Sequence, residues 1–374
     1  MTPKKWLRGI DPRSFQRRLL VWYRRCGRDF AWRRSFDLYA VWVSEVMLQQ
    51  TTTTTVARRF PQFLAQFPTL QSLAAAPEEA VLRAWEGLGY YRRARNLSKA
   101  ARAIVAEHGG AIPTDPAVLR TLPGLGKYSA NAILSFGKNR PLPILEANTL
   151  RAWSRLAGVR SDPTKQPFFR ELWHVAEALI PRRRGRDFNL AVMDLGSMIC
   201  TPRAPDCPQC PLREDCVAFG SGQPERFPLK ADKPTAVDER RVVVVVRNRG
   251  RFFLQKRGDD GRWAGMWEFP NARIETSDEP VATGRRLALR VGKQLGTTTQ
   301  LPNVRHGVMH FRIDLLPMLF ETSARWDGVP EGSNGRWVTP SELAELPLSR
   351  PHRKIATAVT TMTVGETRRS ARRV

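Results

Sequence analysis

The sequence predicts two domains of different class, an all-α domain over residues 1–220 and an α+β domain over residues 239–365, with a linker at 221–238 and a basic tail at 366–374. Three observations carry this. In the first part, apolar residues recur at helical spacing, as in Ala130, Ile133, Leu134 and Phe136. The stretch SGQPERFPLKADKPTAVD at 221–238 loses that periodicity and gains Pro, Gly and charge. Beyond it, RRVVVVVRNRGRFFLQKRG reads as strand, Asn-Arg-Gly turn and strand, and GMWEFP, HFRIDLLPMLF and GRWVTP add strand-like runs around a helix near residues 283–295. At 374 residues the chain is long enough for a core in each domain.

Taken in order, residues 1–34 interleave arginines with Trp6, Trp22, Tyr23, Phe30 and Trp32, and the AWRR run makes Trp32 and Arg33 a candidate pocket wall. In DLYAVWVSEVMLQQT, Val41, Met47 and Leu48 build an apolar helical face that Glu45 interrupts. The threonines Thr51 to Thr55 are poor helix formers, so the helix is expected to give way there and leave Gln50 and Thr51 as a polar wedge. EGLGYY then separates two helices, and Tyr90 and Tyr91 precede Arg92, Arg93, Arg95, Lys99 and Arg102. Basic and aromatic residues mixed in this way suit a nucleic acid strand.

The stretch LPGLGKYSANAILSFGKNRPLPILEAN, Leu122 to Asn148, is the centre of the chain. Its Pro-Gly-x-Gly turn offers Gly124 and Gly126 for positive φ, so backbone N–H groups can approach a phosphate, and a helix expected from about Tyr128 aims its positive end the same way. Glu146 follows in an otherwise apolar PILEAN segment. A backbone grip beside a poised carboxylate points to chemistry on nucleic acid.

Charge agrees: 61 lysines and arginines stand against 35 acidic residues, with an excess of +17 in the first 230 residues and +9 in the rest. Such a chain selects a polyanion. No run of about 18 apolar residues occurs, and the basic N-terminus is not followed by an apolar signal region, so a cytoplasmic, nucleoid-associated location is expected. Four of the five cysteines, Cys200, Cys207, Cys210 and Cys216, are spaced C-x6-C-x2-C-x5-C, which suits tetrahedral zinc or an iron–sulfur cluster. Only one pair has the tight spacing of a structural zinc hook, which favours the cluster. Cys26, His108 and His174 read as bystanders.

WVSEVMLQQT, EGLGYYRRARNL, LPGLGKYSANAI and the cysteine spacing together resemble the helix-hairpin-helix DNA glycosylases, and among them the adenine glycosylases of the MutY type. FLQKRGDDGRWAGMWEFP and RHGVMHFRIDLLPM resemble that family's Nudix-like domain, so the likeness spans nearly the whole chain. It implies a monofunctional base excision repair enzyme, a monomer that hydrolyses the N-glycosidic bond of adenine mispaired with 8-oxoguanine or guanine in double-stranded DNA. It also implies a 4Fe-4S cluster on Cys200, Cys207, Cys210 and Cys216.

The resemblance implies residue roles as well. Glu45 protonates the adenine, Glu146 is the ionised carboxylate at the sugar, Tyr128 stands beside the catalytic carboxylate and Asn148 orients the groups around the sugar. Trp32, Arg33 and Leu190 belong to the base pocket. Gln50, Thr51, Tyr90, Leu122, Gly124, Gly126 and Lys127 belong to the DNA-binding surface, with Gln50 and Tyr90 as wedges, and Met309 and His310 to a lesion-reading loop of the second domain. The chemistry fits these roles. Adenine leaves poorly as an anion, so a ring nitrogen must be protonated, and a glutamic acid of ordinary pKa about 4.3 must be raised by burial to do it near neutrality. A second carboxylate in the opposite protonation state is the arrangement that serves glycosides generally.

Three positions depart from the family pattern. Glu146 stands where relatives have Asp, Leu190 where they carry Gln or Glu, and Met309 where they have Ser. These motivate a second hypothesis, a catalytically weakened DNA-lesion binding protein of the same fold. A lyase is not expected, because Tyr128 stands where bifunctional relatives have a nucleophilic lysine and Lys127 is one position off. RRLALRVGKQLG lacks the metal-binding glutamates of a Nudix hydrolase, so the second domain is expected to bind and not to hydrolyse.

Overall fold

The computed structural model describes residues 7, 9–229, 235–292, 294–322, 329–330 and 332–371. Its helices are α1 (Pro12–Cys26), α2 (Ala31–Arg34), α3 (Leu38–Leu48), α4 (Thr53–Gln66), α5 (Leu70–Ala75), α6 (Glu78–Ala84), α7 (Arg92–Glu107), α8 (Pro116–Leu119), α9 (Lys127–Lys138), α10 (Ala147–Ala157), α11 (Phe168–Leu179), α12 (Gly185–Met198), α13 (Val217–Gly220), α14 (Pro280–Ala288), α15 (Pro340–Glu345) and α16 (Arg350–Ala371). Its strands are β1 (Val237–Asn248), β2 (Arg251–Lys256), β3 (Trp267–Glu268), β4 (Asn271–Ile274), β5 (Leu295–Gln300), β6 (Val304–Val308), β7 (Phe311–Thr322) and β8 (Gly335–Val338). The chain divides into two compact units, residues 1–75 with 96–232, and residues 76–95 with 233–374. Linker residues 230–234 and tail residues 372–374 lie outside the described residues, and the described part of the tail continues α16.

The first unit is helical. α1 begins at Asp11, whose carboxylate accepts from the N–H groups of Arg13 and Ser14, with Pro12 at the first helical position. Its apolar residues Phe15 and Leu19 pack with Trp153 of α10, Trp173 of α11 and Phe188 and Leu195 of α12. α3 is different: it is buried continuously from Tyr39 to Met47, as a helix that is apolar on every side must be. The threonine run does not stay out of the helix, contrary to the expectation from propensity. Thr52 caps α4 by accepting from the Thr55 N–H, so Thr53 to Thr55 form its first turn. Only Gln50 and Thr51 remain in the turn.

In the Pro-Gly-x-Gly turn between α8 and α9, only Gly124 takes positive φ, at +79°, and a Cβ there would lie 2.8 Å from Asn96 Cβ. Gly126 is the extended residue that opens α9, which begins at Lys127.

The second unit is α+β, with an eight-stranded sheet whose main path runs β3-β2-β1-β7-β5. β1 and β7 pair in parallel from Val237↔Phe311 to Asn248↔Thr322. The valine run of β1 is buried on both faces: Val243 and Val245 join a core with Ile355 and Val359 of α16, while Val242, Val244 and Val246 join one with Ala288 of α14. The predicted hairpin is present, with Arg249 and Gly250 both at positive φ between β1 and β2, as the tight hairpin turn requires.

Residues 76–95 pack in this second unit. Glu79 of α6 accepts from Trp267 Nε1 at 2.9 Å and Lys256 Nζ at 3.0 Å, Glu86 accepts from Arg353 Nε at 2.9 Å, and Arg95 pairs with Asp259. The compact units therefore interleave along the chain, unlike the contiguous division expected from the sequence.

Candidate active site

The first unit holds a cavity of about 560 Å³ walled by α2, α3, α9, α12 and the N-terminus of α10. Of the expected residues it gathers Glu45, Tyr128, Glu146 and Asn148, the pocket residues Trp32, Arg33 and Leu190, and Gln50 and Thr51 at the turn after α3.

Glu45 is carried on the all-buried helix and is 4% exposed. The Tyr128 hydroxyl donates to its Oε2 at 2.7 Å, and Oε1 has no hydrogen-bond partner among the described residues. Burial raises its pKa to about 7, opposed by the Tyr128 hydrogen bond and the Arg33 charge and assisted by the charge of Glu146. The side chain of Glu45 is therefore not turned to solvent.

Glu146 is the N-cap of α10. Its Oε1 accepts from the Thr149 N–H at 2.9 Å and its Oε2 from the Asn148 N–H at 2.9 Å and the Asn148 side-chain amide at 3.3 Å. Thr149 Oγ1 accepts the Glu146 N–H in return, at 2.8 Å, which closes a capping box. Burial raises the pKa of Glu146, and these donors together with the charge of Arg151 oppose the rise. Both carboxyls are thus raised, but Glu45 has a single hydroxyl donor whereas Glu146 has three N–H donors and the Arg151 charge, all of which favour its ionised form.

Trp32 is buried, stacked on Phe30 with ring centroids 4.6 Å apart and set edge-on to Phe60. Arg33 is fixed by Asp194 of α12, its Nη1 and Nη2 donating at 2.7 and 2.8 Å. Leu190 packs with Val41, Ala132, Phe136 and Ile144, so it closes the cavity with hydrocarbon.

Sequence reasoning missed four residues of this site. Asp194, its side chain fully buried, binds both Arg28 and Arg33. Arg151 donates to Asn148 Oδ1 at 2.9 Å and to the Cys200 carbonyl at 2.7 Å. Arg186 and Met193 reach the cavity from α12. The signal was available in part: Arg186, Leu190, Met193 and Ser197 follow one helical face, of which the family resemblance named Leu190 alone.

The remaining expected residues lie outside the cavity. Leu122 is buried, so only its backbone could meet a phosphate, and Gly124 and Gly126 are exposed. Lys127 opens α9 with its ammonium 3.9 Å from the centre of the Trp173 ring. Tyr90 is 44% exposed at φ +46°, in the segment that packs with the second unit. Met309, 68% exposed at φ +55°, and His310 form the two-residue turn between β6 and β7.

None of the cysteines forms a disulfide. The four near the end of the first unit lie within electrostatic reach of one another. Burial raises the pKa of Cys210 to about 12 and raises those of Cys207 and Cys216, and the charge of Cys200 adds to each. Arg155 donates to Cys200 Sγ at 3.3 Å. Among the described residues no group of three or more His, Cys, Asp or Glu side chains is drawn together tightly enough to hold a metal ion. The donor set itself, four neighbouring sulfurs beside a buried guanidinium, fits a group that takes thiolates.

Comparison with known proteins agrees with both units. The family described as HhH-GPD superfamily base excision DNA repair protein matches residues 43–178, and the NUDIX domain family matches residues 241–358. Adenine DNA glycosylase of Buchnera aphidicola subsp. Schizaphis graminum is 31% identical over 342 residues, covering 91% of this chain and 97% of that protein. The human adenine DNA glycosylase is 32% identical over 401 residues, covering 91% of this chain and 73% of its own length. Among solved structures, that of a thermostable thymine-DNA glycosylase is similar with a TM-score of 0.52 and 27% identity, covering 56% of this chain and 97% of that one. With likeness of this extent, and with a buried acid facing a donor-held carboxylate in the helical unit, the chain belongs to the adenine DNA glycosylase family.

Proposed function

We propose that the protein excises adenine mispaired with 8-oxoguanine or guanine in double-stranded DNA, by hydrolysis and without lyase activity. The observation that carries this is the Glu45–Tyr128 pair opposite Glu146 in one cavity. The Tyr128 hydroxyl occupies Oε2 of Glu45, which leaves Oε1 to hold the proton and give it to a ring nitrogen of adenine. The C1′–N9 bonding pair leaves with the base, and the oxocarbenium that remains is stabilised by ionised Glu146. Water adds to C1′ and loses a proton, and adenine departs neutral. Asn148, tied to Glu146 and held by Arg151, orients that carboxylate.

Several finer features belong to the same proposal. Gln50 and Tyr90 act as wedges, and Thr51, the backbone from Leu122 to Gly126 and Lys127 grip the phosphate chain. Met309 and His310, in an exposed turn, read the opposite base. Cys200, Cys207, Cys210 and Cys216 would hold a 4Fe-4S cluster, which when bound fixes the loop on the DNA. The protein works as a monomer on nucleoid DNA in the cytoplasm; among the described residues no helix is long and apolar enough to cross a membrane.

Single-turnover adenine release from A:8-oxoguanine and A:G duplexes tests the reading. Release from both, faster from the first, is the expected result. Tight binding with no release would establish the alternative, a lesion-binding protein. Met309→Ser should widen the preference for 8-oxoguanine, since a thioether accepts hydrogen bonds weakly and donates none, and a regained polar contact contributes about 1 to 2 kcal/mol.

A further inference from the structure

Helix α12 turns Arg186, Leu190, Met193 and Ser197 toward the cavity. Leu190 brings no polar atom, so any polar contact to the base from this wall must come from a neighbour. Arg186 stands one turn earlier. It lines the main cavity and also an adjoining one of about 330 Å³, and Arg28, Arg33 and Leu190 likewise border both. Arg186 is 6% exposed. Its Nη2 donates to the carbonyls of Arg33 and Ser35, its backbone N–H donates to Asn139 Oδ1 at 3.0 Å, and its guanidinium carbon lies 3.8 Å from the centre of the Phe36 ring. These contacts hold the plane of the group. Nη1, by contrast, is buried and has no acceptor among the described residues. A buried donor left unpaired is costly, and an acceptor brought by a ligand would relieve that cost. Arg33 is in the opposite condition, with Asp194 engaging both of its terminal nitrogens.

We propose that Arg186, through Nη1, reads a ring nitrogen of the extruded adenine and supplies in this chain the polar base contact that Leu190 does not make. This rests on the reading that adenine enters the cavity. A guanidinium only donates, and adenine presents N1, N3 and N7 as acceptors. Each ring nitrogen has one in-plane lone pair, so Glu45 and Arg186 must use different ones. The two donors then grip two positions of one purine. As C1′–N9 breaks, electron density moves onto the base, and a donor at a second nitrogen stabilises it there.

The test uses duplexes carrying an uncleavable 2′-fluoro-deoxyadenosine opposite guanine, and three versions in which N1, N3 or N7 is replaced by CH. Binding is measured for the full-length protein and for Arg186→Met, which keeps the apolar stem and removes the donor. Wild type should lose affinity at the position read by Glu45 and, by about five- to thirtyfold, at one other. Arg186→Met should bind the parent duplex more weakly by the same factor and be indifferent at that second position only. Arg186→Lys, which keeps a donor, should fall between the two. The proposal is overturned if Arg186→Met or Arg186→Lys, confirmed folded by its melting temperature, is indifferent to the change at Arg186 and binds all four duplexes as wild type does. It is equally overturned if wild type responds at one position only, an outcome that leaves adenine in the cavity. Wild type indifferent to all three replacements removes the functional reading as well.

Discussion

Glu45 in the first unit and Glu239 in the second are both buried, 4% and 6% exposed, yet their surroundings act on them in opposite directions. Glu239 accepts from Arg241 at 2.7 Å and Arg262 at 2.5 Å; burial raises its pKa, but the bonds and charges of the two arginines bring it below the ordinary value. Glu45 has one hydroxyl donor, and the guanidinium whose charge acts on it, that of Arg33, is itself held by Asp194. Burial therefore dominates there. The difference teaches where chemistry can be sought in this molecule: a buried acid with full ion pairing serves the fold, and one left short of cations can carry a proton.

Glu45→Gln breaks the comparison most severely. Adenine release should fall by about 10²- to 10⁴-fold, with duplex binding largely retained, in a single-turnover assay. The same variant has a stability signature. Because Glu45 has a raised pKa, its protonated form is favoured in the folded state, and wild type should lose stability as pH rises from about 4.5 through about 7. Glu45→Gln lacks that loss, so its melting temperature relative to wild type should climb across this window.

Glu146→Gln comes next. It removes the charge that the proposed mechanism sets at the sugar and weakens the cap of α10, so the rate should fall by about 10²-fold and stability by about 1 kcal/mol. Glu146→Asp, which preserves both the charge and a good cap, should hold its melting temperature. In the second unit, Glu239→Gln strands two arginines and should cost about 3 kcal/mol by chemical denaturation, with the rate per folded molecule unchanged. The pKa of Glu239 is depressed, so this cost should be full above the ordinary carboxylate pKa of about 4.5 and shrink as pH falls through the lower folded value.

The smallest effect sharpens the contrast most finely. Tyr128→Phe removes a bond that lowers the Glu45 pKa, so the alkaline limb of the rate profile should move up. Asp194→Asn frees the Arg33 charge to act on Glu45, so that limb should move down. Each shift should be at most about one pH unit, and shifts in the same direction would mean that Glu45 is not the group being titrated.

The fold class was legible because its signals are local. Helical spacing, the valine run of β1 and the turn at Arg249-Gly250 act within a few residues. Glu45 and Glu146 stood out as acids in apolar segments, Tyr128 came from the family resemblance, and the three line one cavity. Asp194 and Arg186 were not, because an acid or arginine on a polar-looking helix face is ordinarily solvated, and only tertiary packing buries these two. The threonine run failed for a related reason. Propensity averages over helix interiors, and threonine is favourable at the cap.

Residues 76–95 leave the ribosome long before their partners in the second unit. At roughly 5 to 20 residues per second, Glu79 waits on the order of ten seconds or more for Lys256 and Trp267, and Glu86 somewhat longer for Arg353. Until then α6 and the Tyr90 turn have no place to settle in the unit that receives them. Synthesis thus delivers the residues that line the cavity before those that hold α6 and the Tyr90 turn, and a chain stopped near residue 232 would contain Glu45, Tyr128 and Glu146 but not Lys256, Trp267 or Arg353.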